Sequence, residues 1–177
     1  MILKATLKNM KKLLFSLLVL FGAVLAFTSC KDTDHGAPKN IVELAQNTAD
    51  LSTLVAAVQR AGLVDALSAD GPLTVFAPTN QAFSALLASL GYSKLEDVPV
   101  DALKNILLNH VVNGKVESGD LSTGYVKSLL TFGATTSNIS LYVDISNGVQ
   151  VNGSKVTTAD VEASNGVVHI IDKVIVP

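Results

Sequence analysis

The chain of 177 residues has no tryptophan, one cysteine and three histidines. A lone cysteine cannot close a disulfide within its own molecule, so packing must hold any domain together. His35, His110 and His169 stand far apart, without the His-x-x-x-His or Cys-x-x-Cys spacing that clusters metal ligands. No Gly-x-Ser-x-Gly, Gly-x-Gly-x-x-Gly or P-loop pattern is present. An activated nucleophile, a dinucleotide cradle and a phosphate cradle therefore all lack their usual signatures. Asp65, Asp144, Asp160 and Glu162 read as solvated or turn carboxylates, not as a paired acid and base. These gaps lead us to expect no enzyme, no catalytic residue, no metal and no cofactor.

Basic residues are few and unevenly placed. Of 13, four (Lys4, Lys8, Lys11 and Lys12) precede an apolar run, Leu13 to Phe27, and all 15 acidic residues follow Cys30. A basic start and a run shorter than the roughly 20 residues of a membrane span fit a secretory signal peptide. Met10, followed by two lysines, offers a second start. Thr28 and Ser29 before Cys30 resemble the lipobox of bacterial lipoproteins, although Phe27 stands where an aliphatic residue is usual. "CKDTD" resembles the acidic stretch that follows the lipid cysteine of surface-exposed lipoproteins. The reading is residues 1–29 as a leader, Cys30 as the lipidation site and 30–39 as a tether. The membrane is then reached through the lipid on Cys30, with the protein in the cell envelope, outer-membrane anchored and surface-exposed. Beyond the leader nine basic residues face 15 acidic ones, a formal charge near −6. Nucleic acid needs a basic footprint, so it is excluded as a partner.

About 140 residues then remain, enough for one domain with its own core. Residues 41–49 read as a short helix. Leu51, Leu54, Val55 and Val58 recur at helical spacing, with Asp50 or Ser52 placed to cap. Gly62 ends that helix, and "LVDALSA" adds another turn. "DGP" at 70–72 is a turn and "LTVF" at 73–76 a buried strand. Pro78 and Thr79 open a helix with Phe83, Leu86, Leu87 and Leu90 on one face. Pro78 fixes φ and lacks a donor, and the Thr79 hydroxyl can accept a first-turn amide. Asn80 is placed to bridge to a neighbouring loop. A further helix from Asp101 carries Leu103, Ile106, Leu107 and His110 on its apolar face. His110 therefore reads as a buried ring with hydrogen-bond partners, and His169, between apolar neighbours, reads the same way.

Past residue 110 the period changes to two. Ile139, Leu141, Val143 and Ile145 alternate with Ser140, Tyr142 and Asp144 as in a half-buried strand. Asn-Gly pairs at 113–114, 147–148, 152–153 and 165–166 predict tight hairpins. Helices first and antiparallel strands second predict an α+β domain over residues 40–177.

Three stretches carry a resemblance. "TVFAPTNQAF" (74–83) is similar to the first signature of fasciclin-type domains, the FAS1 family. "LLNHVVNG" (107–114) sits where that family has a Tyr-His motif, with Asn109 in place of the tyrosine. "NGVVHIIDKVIVP" (165–177) resembles its closing signature. The resemblance implies a wedge of about seven short strands with helices packed around it, without general catalytic activity. It marks Thr74, Phe76, Pro78, Thr79, Asn80, Phe83, Asn109, His110, His169 and Asp172 as motif positions, which we read as structural. It also implies adhesion or extracellular binding, and we expect contact with a polysaccharide, a matrix component or a surface protein, with weak self-association. The adhesive role of the missing tyrosine does not carry over. The alternative is a small apolar, pigment-like ligand in a groove, suggested by 49% hydrophobic residues. Three tyrosines, Tyr92, Tyr125 and Tyr142, and no tryptophan argue against a strong ring platform for sugars.

Overall fold

A computed structural model describes residues 38–131 and 138–177. The leader, Cys30, His35 and most of the tether lie outside the described residues.

Helices come first. They are α1 (Ile41–Gln46), α2 (Ser52–Arg60), α3 (Val64–Ser68), α4 (Asn80–Leu90) and α5 (Val100–Asn109), with 3₁₀ turns at Ala49–Leu51 and Leu95–Asp97. The strand β1 (Leu73–Pro78) runs between α3 and α4. The others follow α5: β2 (Val111–Asn113), β3 (Gly124–Thr131), β4 (Asn138–Asp144), β5 (Gln150–Val151), β6 (Ser154–Ala163) and β7 (Gly166–Ile171). They close into a ring in chain order, β7 meeting β1 in parallel from Leu73↔Gly166 to Pro78↔Ile171. The other neighbours pair antiparallel. This is the α+β, seven-stranded architecture expected.

The ring has two cores. Phe76, Val112, Leu141, Val143, Val151 and Ile171 fill its inside. Val75, Ala77, Val111 and Val168 face outward and are covered by Leu51, Leu54, Phe83, Leu103 and Leu107 from the helices. With apolar partners on both faces, β1 is buried from Thr74 to Pro78. Burying each large side chain contributes about 1.5–3 kcal/mol, so the β1–β7 seam is where stabilisation concentrates.

Several local expectations are corrected. On α4 only Ala82 and Phe83 are buried, Leu86 and Leu87 are half-buried, and Leu90 is 48% exposed. That helix packs on α2 and β1, with Leu87 at the margin of the core and Leu90 beyond it. Neither Asp50 nor Ser52 caps α2, whose N-cap position is Leu51 and carries no side-chain bond. Ile145 lies past the end of β4 and is exposed. Of the Asn-Gly pairs only Asn152–Gly153 forms the centre of a two-residue hairpin, with φ of 48° and 78° between Val151 and Ser154. Both residues need positive φ there, which asparagine and glycine supply. At 164–165 the hairpin centre is Ser164–Asn165. Gly166 serves closeness instead: a Cβ there would lie 1.9 Å from the Leu73 carbonyl oxygen.

Candidate functional site

The motif residues gather at the β1–β7 seam. The buried Thr74 hydroxyl donates to the Gly114 carbonyl (2.7 Å) and accepts from the Val116 amide (2.9 Å). Phe76 stacks on His169 with centroids 5.5 Å apart, and its amide donates to the His110 carbonyl at 2.9 Å. Pro78 ends the strand opposite Ile171. The Thr79 amide donates to the Ile171 carbonyl (3.2 Å), and its hydroxyl caps α4 through the Ala82 amide (3.3 Å). Phe83 is buried against the helical core.

Two asparagines cap helices from a distance. Asn80 Oδ1 accepts from the Thr53 amide (2.8 Å) and the Ser52 hydroxyl (3.2 Å), while its Nδ2 donates to the Ala49 carbonyl (3.0 Å). It supplies the cap that α2 lacks locally, filling an orphan donor of the first turn. Asn165 Oδ1 accepts from the Ile41 amide (3.0 Å) at the start of α1. Its Nδ2 donates to the Leu67 and Ala69 carbonyls at the end of α3, both at 2.9 Å. Along the chain Asn165 reads only as half of a turn pair, because no local pattern marks a cap whose helix lies 124 positions away.

His110 is buried at the end of α5. Its Nδ1 lies 2.6 Å from the Ile106 carbonyl, and its Nε2 2.9 Å from the Ile175 amide. A carbonyl can only accept and an amide can only donate, so the proton sits on Nδ1 and the ring is neutral. Burial pushes its pKa down to about 4, against the Ile106 bond that raises it. Asn109 Nδ2 donates to the Ile175 carbonyl (3.2 Å), so neighbouring side chains grip both polar atoms of one peptide residue. Asn109 Oδ1 is buried without a hydrogen-bond partner among the described residues.

His169 is equally enclosed. Its Nε2 donates to the Val116 carbonyl (2.9 Å), and its Nδ1 accepts from the Asp160 amide (3.3 Å). The Asp160 carboxylate takes the Ser118 amide (2.7 Å) and the Ser118 hydroxyl, which hold its pKa below the usual range. Serine, histidine and aspartate are thus neighbours without forming a triad. The serine bonds the aspartate, and both ring nitrogens of the histidine are already committed. Asp172 accepts from the Lys155 amide (2.7 Å), tying β6 to the end of β7. Among the described residues no group of three or more His, Cys, Asp or Glu could hold a metal, and no helix is long and apolar enough to cross a membrane.

The surfaces left for contact lie elsewhere. The apolar cavity between α1, α2 and β1 is about 30 Å³, one water's share and far below the several hundred Å³ of a ligand site. A shallow groove of about 360 Å³ lies by α4 and α5, lined by Leu90, Tyr92, Val98, Pro99, Ile106 and Val176. On the opposite part of the sequence, Tyr125 of β3 and Tyr142 of β4 pair across the sheet with centroids 5.3 Å apart, 76% and 40% exposed. Asn152 continues the row: its Oδ1 accepts from the Tyr142 amide (2.7 Å) and its amide donates to the Tyr142 carbonyl (2.8 Å). Two of the three tyrosines therefore form an exposed ring pair, which counting rings along the chain did not foresee.

Comparison with known proteins agrees with this geometry. A family model described as the Fasciclin domain matches residues 49–177. The Synechocystis protein sll1483 is 49% identical over 138 residues, 77% of this chain and 73% of that protein. The transforming growth factor-beta-induced protein ig-h3 of Sus scrofa is 36% identical over 137 residues, 77% of this chain and 19% of the relative. Among solved structures, a FAS1 domain pair from the insect cell adhesion molecule fasciclin I has the same fold. It superposes with a TM-score of 0.63 at 18% identity, covering 78% of this chain and 51% of that one.

Proposed function

Because the chain belongs to the fasciclin domain family, we propose that it is a non-catalytic adhesion module of the cell envelope, held through a lipid on Cys30 and contacting extracellular polymers or surface proteins. One observation carries the non-catalytic part. Each polar motif side chain of the seam is spent on a backbone partner, so the residues that look most like chemistry serve the fold. Exposed rings outside the motifs supply contact area. A single domain of this size offers a small interface, and contacts below about 1,200 Å² are weak. Many copies tethered in one membrane raise the effective concentration of each further contact.

Two experiments test this. Purified protein at high density on beads should retain envelope fragments or whole cells that the free monomer binds weakly; no retention at any density would sink the module reading. Cys30→Ser should move the protein out of the membrane fraction, and unchanged fractionation would remove the lipid anchor. The second reading, a small apolar ligand, is favoured by the Leu90–Tyr92–Val98 groove. Tight binding of an extracted apolar molecule by the monomer, lost in Tyr92→Ser, would put that reading first.

A further inference from the structure

We propose that two copies of this chain meet through the outer face of β3, β4 and β5, related by a two-fold axis along the row of Tyr125, Tyr142 and Asn152. Which envelope component the module contacts has no bearing on this pairing. The face is assembled by register. Tyr125 pairs with Tyr142, and Asn152 bonds the other edge of Tyr142 through its side-chain oxygen and its amide. Lys127 lies two residues along β3 from Tyr125 and pairs with Ser140, while Asp144 lies two residues from Tyr142 in the opposite direction. Residues two apart on a strand share a face, and so do residues paired across strands. The rings therefore stand in the middle, with an ammonium at one end and a carboxylate at the other.

These two charges do not satisfy each other within one copy. Asp144 is four residues from Ser140, the cross-strand partner of Lys127, about 13 Å at strand spacing. Among the described residues Lys127 makes no salt bridge. Asp144 stays a carboxylate, because the Ser146 amide (2.9 Å) and hydroxyl hold its pKa below the usual range. Lys155, at the far corner, has its own counter-charge in Asp172, which accepts the Lys155 amide (2.7 Å). The face as a whole therefore has no net sign, and Lys127 and Asp144 are opposite charges held at its two ends.

A half-turn about the tyrosine row brings them together. It lays the rows of the two copies over one another and reverses the strands. Lys127 of each copy then comes over the Asp144 end of the other, one strand across, a step that a lysine side chain spans. Such self-complementarity is what a two-fold interface requires, and opposite charges at both ends fix its register. Tyr125 and Tyr142, 76% and 40% exposed, supply an apolar centre at little conformational cost. Pairing by an added strand is closed to this face, since β3 and β4 have neighbours on both sides in the ring. Sheet-on-sheet packing about 10 Å apart is open to it. Three strands of this length present on the order of 300 Å² a side, well short of the ~800 Å² per partner of a stable complex. The association is therefore weak, and local concentration decides whether it forms.

The test is sedimentation of the purified Cys30→Ser protein, which carries neither a lipid nor a thiol, from about 10 µM to about 1 mM. Its average mass should rise toward twice the monomer with concentration, and less so in about 0.5 M salt. Lys127→Asp alone and Asp144→Lys alone should each weaken association by about tenfold or more, because like charges then meet at both ends. Mixing those two variants should restore it, since the mixed dimer again sets Asp against Lys at each end, and the double variant should do the same. Tyr125→Ala with Tyr142→Ala should abolish it. Unfolding midpoints read alongside should stay near that of the parent; if Asp144→Lys fails to fold, Asp144→Asn still removes the charge and should weaken association. A chain that stays monomeric throughout would overturn the proposal, as would a dimer indifferent to the single reversals. A mixture no tighter than its components would overturn the two-fold arrangement. A dimer lost only on replacing Leu90 and Val176 with serine would overturn this face in favour of the groove beside α4 and α5.

Discussion

The β1–β7 seam and the β3–β5 face are built from the same ring and serve opposite ends. At the seam Thr74, His110 and His169 are buried and each holds two backbone groups. On the face, Tyr125 and Tyr142 stand in solvent and hold nothing but each other. The family signatures fall on the first region and miss the second. The signature residues therefore report how the ring is closed.

Substitutions should separate the two regions cleanly. The largest effect is expected at His110. His110→Ala removes a buried ring and strands the Ile175 amide, which should cost about 3 kcal/mol or more, read as a lower urea midpoint with unchanged retention of envelope fragments on densely coated beads. A stable variant that no longer binds would break the division. Next comes pH. The folded His110 has a pKa of about 4 against 6.5 for the free residue. Between those values the unfolded chain binds the proton and the folded one does not, so stability falls as pH drops from 6.5 toward 4. The loss reaches about 3 kcal/mol at 1.36 kcal/mol per unit. His110→Gln should flatten that slope in urea titrations at several pH values; a slope as steep as before would assign it to another group. Smaller again is Asn80→Ala, which unseats the remote cap of α2 and should cost about 1–2 kcal/mol, with exchange of the Thr53 amide speeding up in hydrogen-exchange measurements. The smallest stability effect belongs to the face: Tyr125→Ala should shift the midpoint by no more than about 0.5 kcal/mol. A larger shift would mean the ring pair holds the sheet together.

Much of the seam was legible along the chain. Pro78 and Thr79 mark the strand-to-helix corner through their own backbone chemistry, and the spacing of Leu103, Ile106, Leu107 and His110 places the histidine inward. These signals act within a turn or two of the residue that carries them. What was not legible depends on tertiary distance. Leu90 shares its helical face with Phe83, but periodicity tells which face is apolar and not how far a neighbour covers it. The cap of α2 comes from Asn80, distant in sequence, where Asp50 and Ser52 are the local candidates, and Asn165 adds a remote acceptor to the local Asn40–Glu43 capping box of α1. Tyr125 and Tyr142 meet through the β3–β4 register, which a bulge shifts between Lys127 and Thr131, and no count of aromatic residues contains that register.

The parallel pairing of β1 with β7 also sets a schedule. Strand β1 ends at residue 78 and waits for a neighbour that begins at 166. Contacts of such long sequence separation are slow to form, because the intervening loop must be closed before they repay it. Among the described residues, five helices and six strands precede β7, the strand that closes the ring. Until β7 arrives, one edge of β1 has no partner and the Ile175 peptide has not reached His110 and Asn109. The ring therefore cannot close until nearly the whole domain is available to the chain.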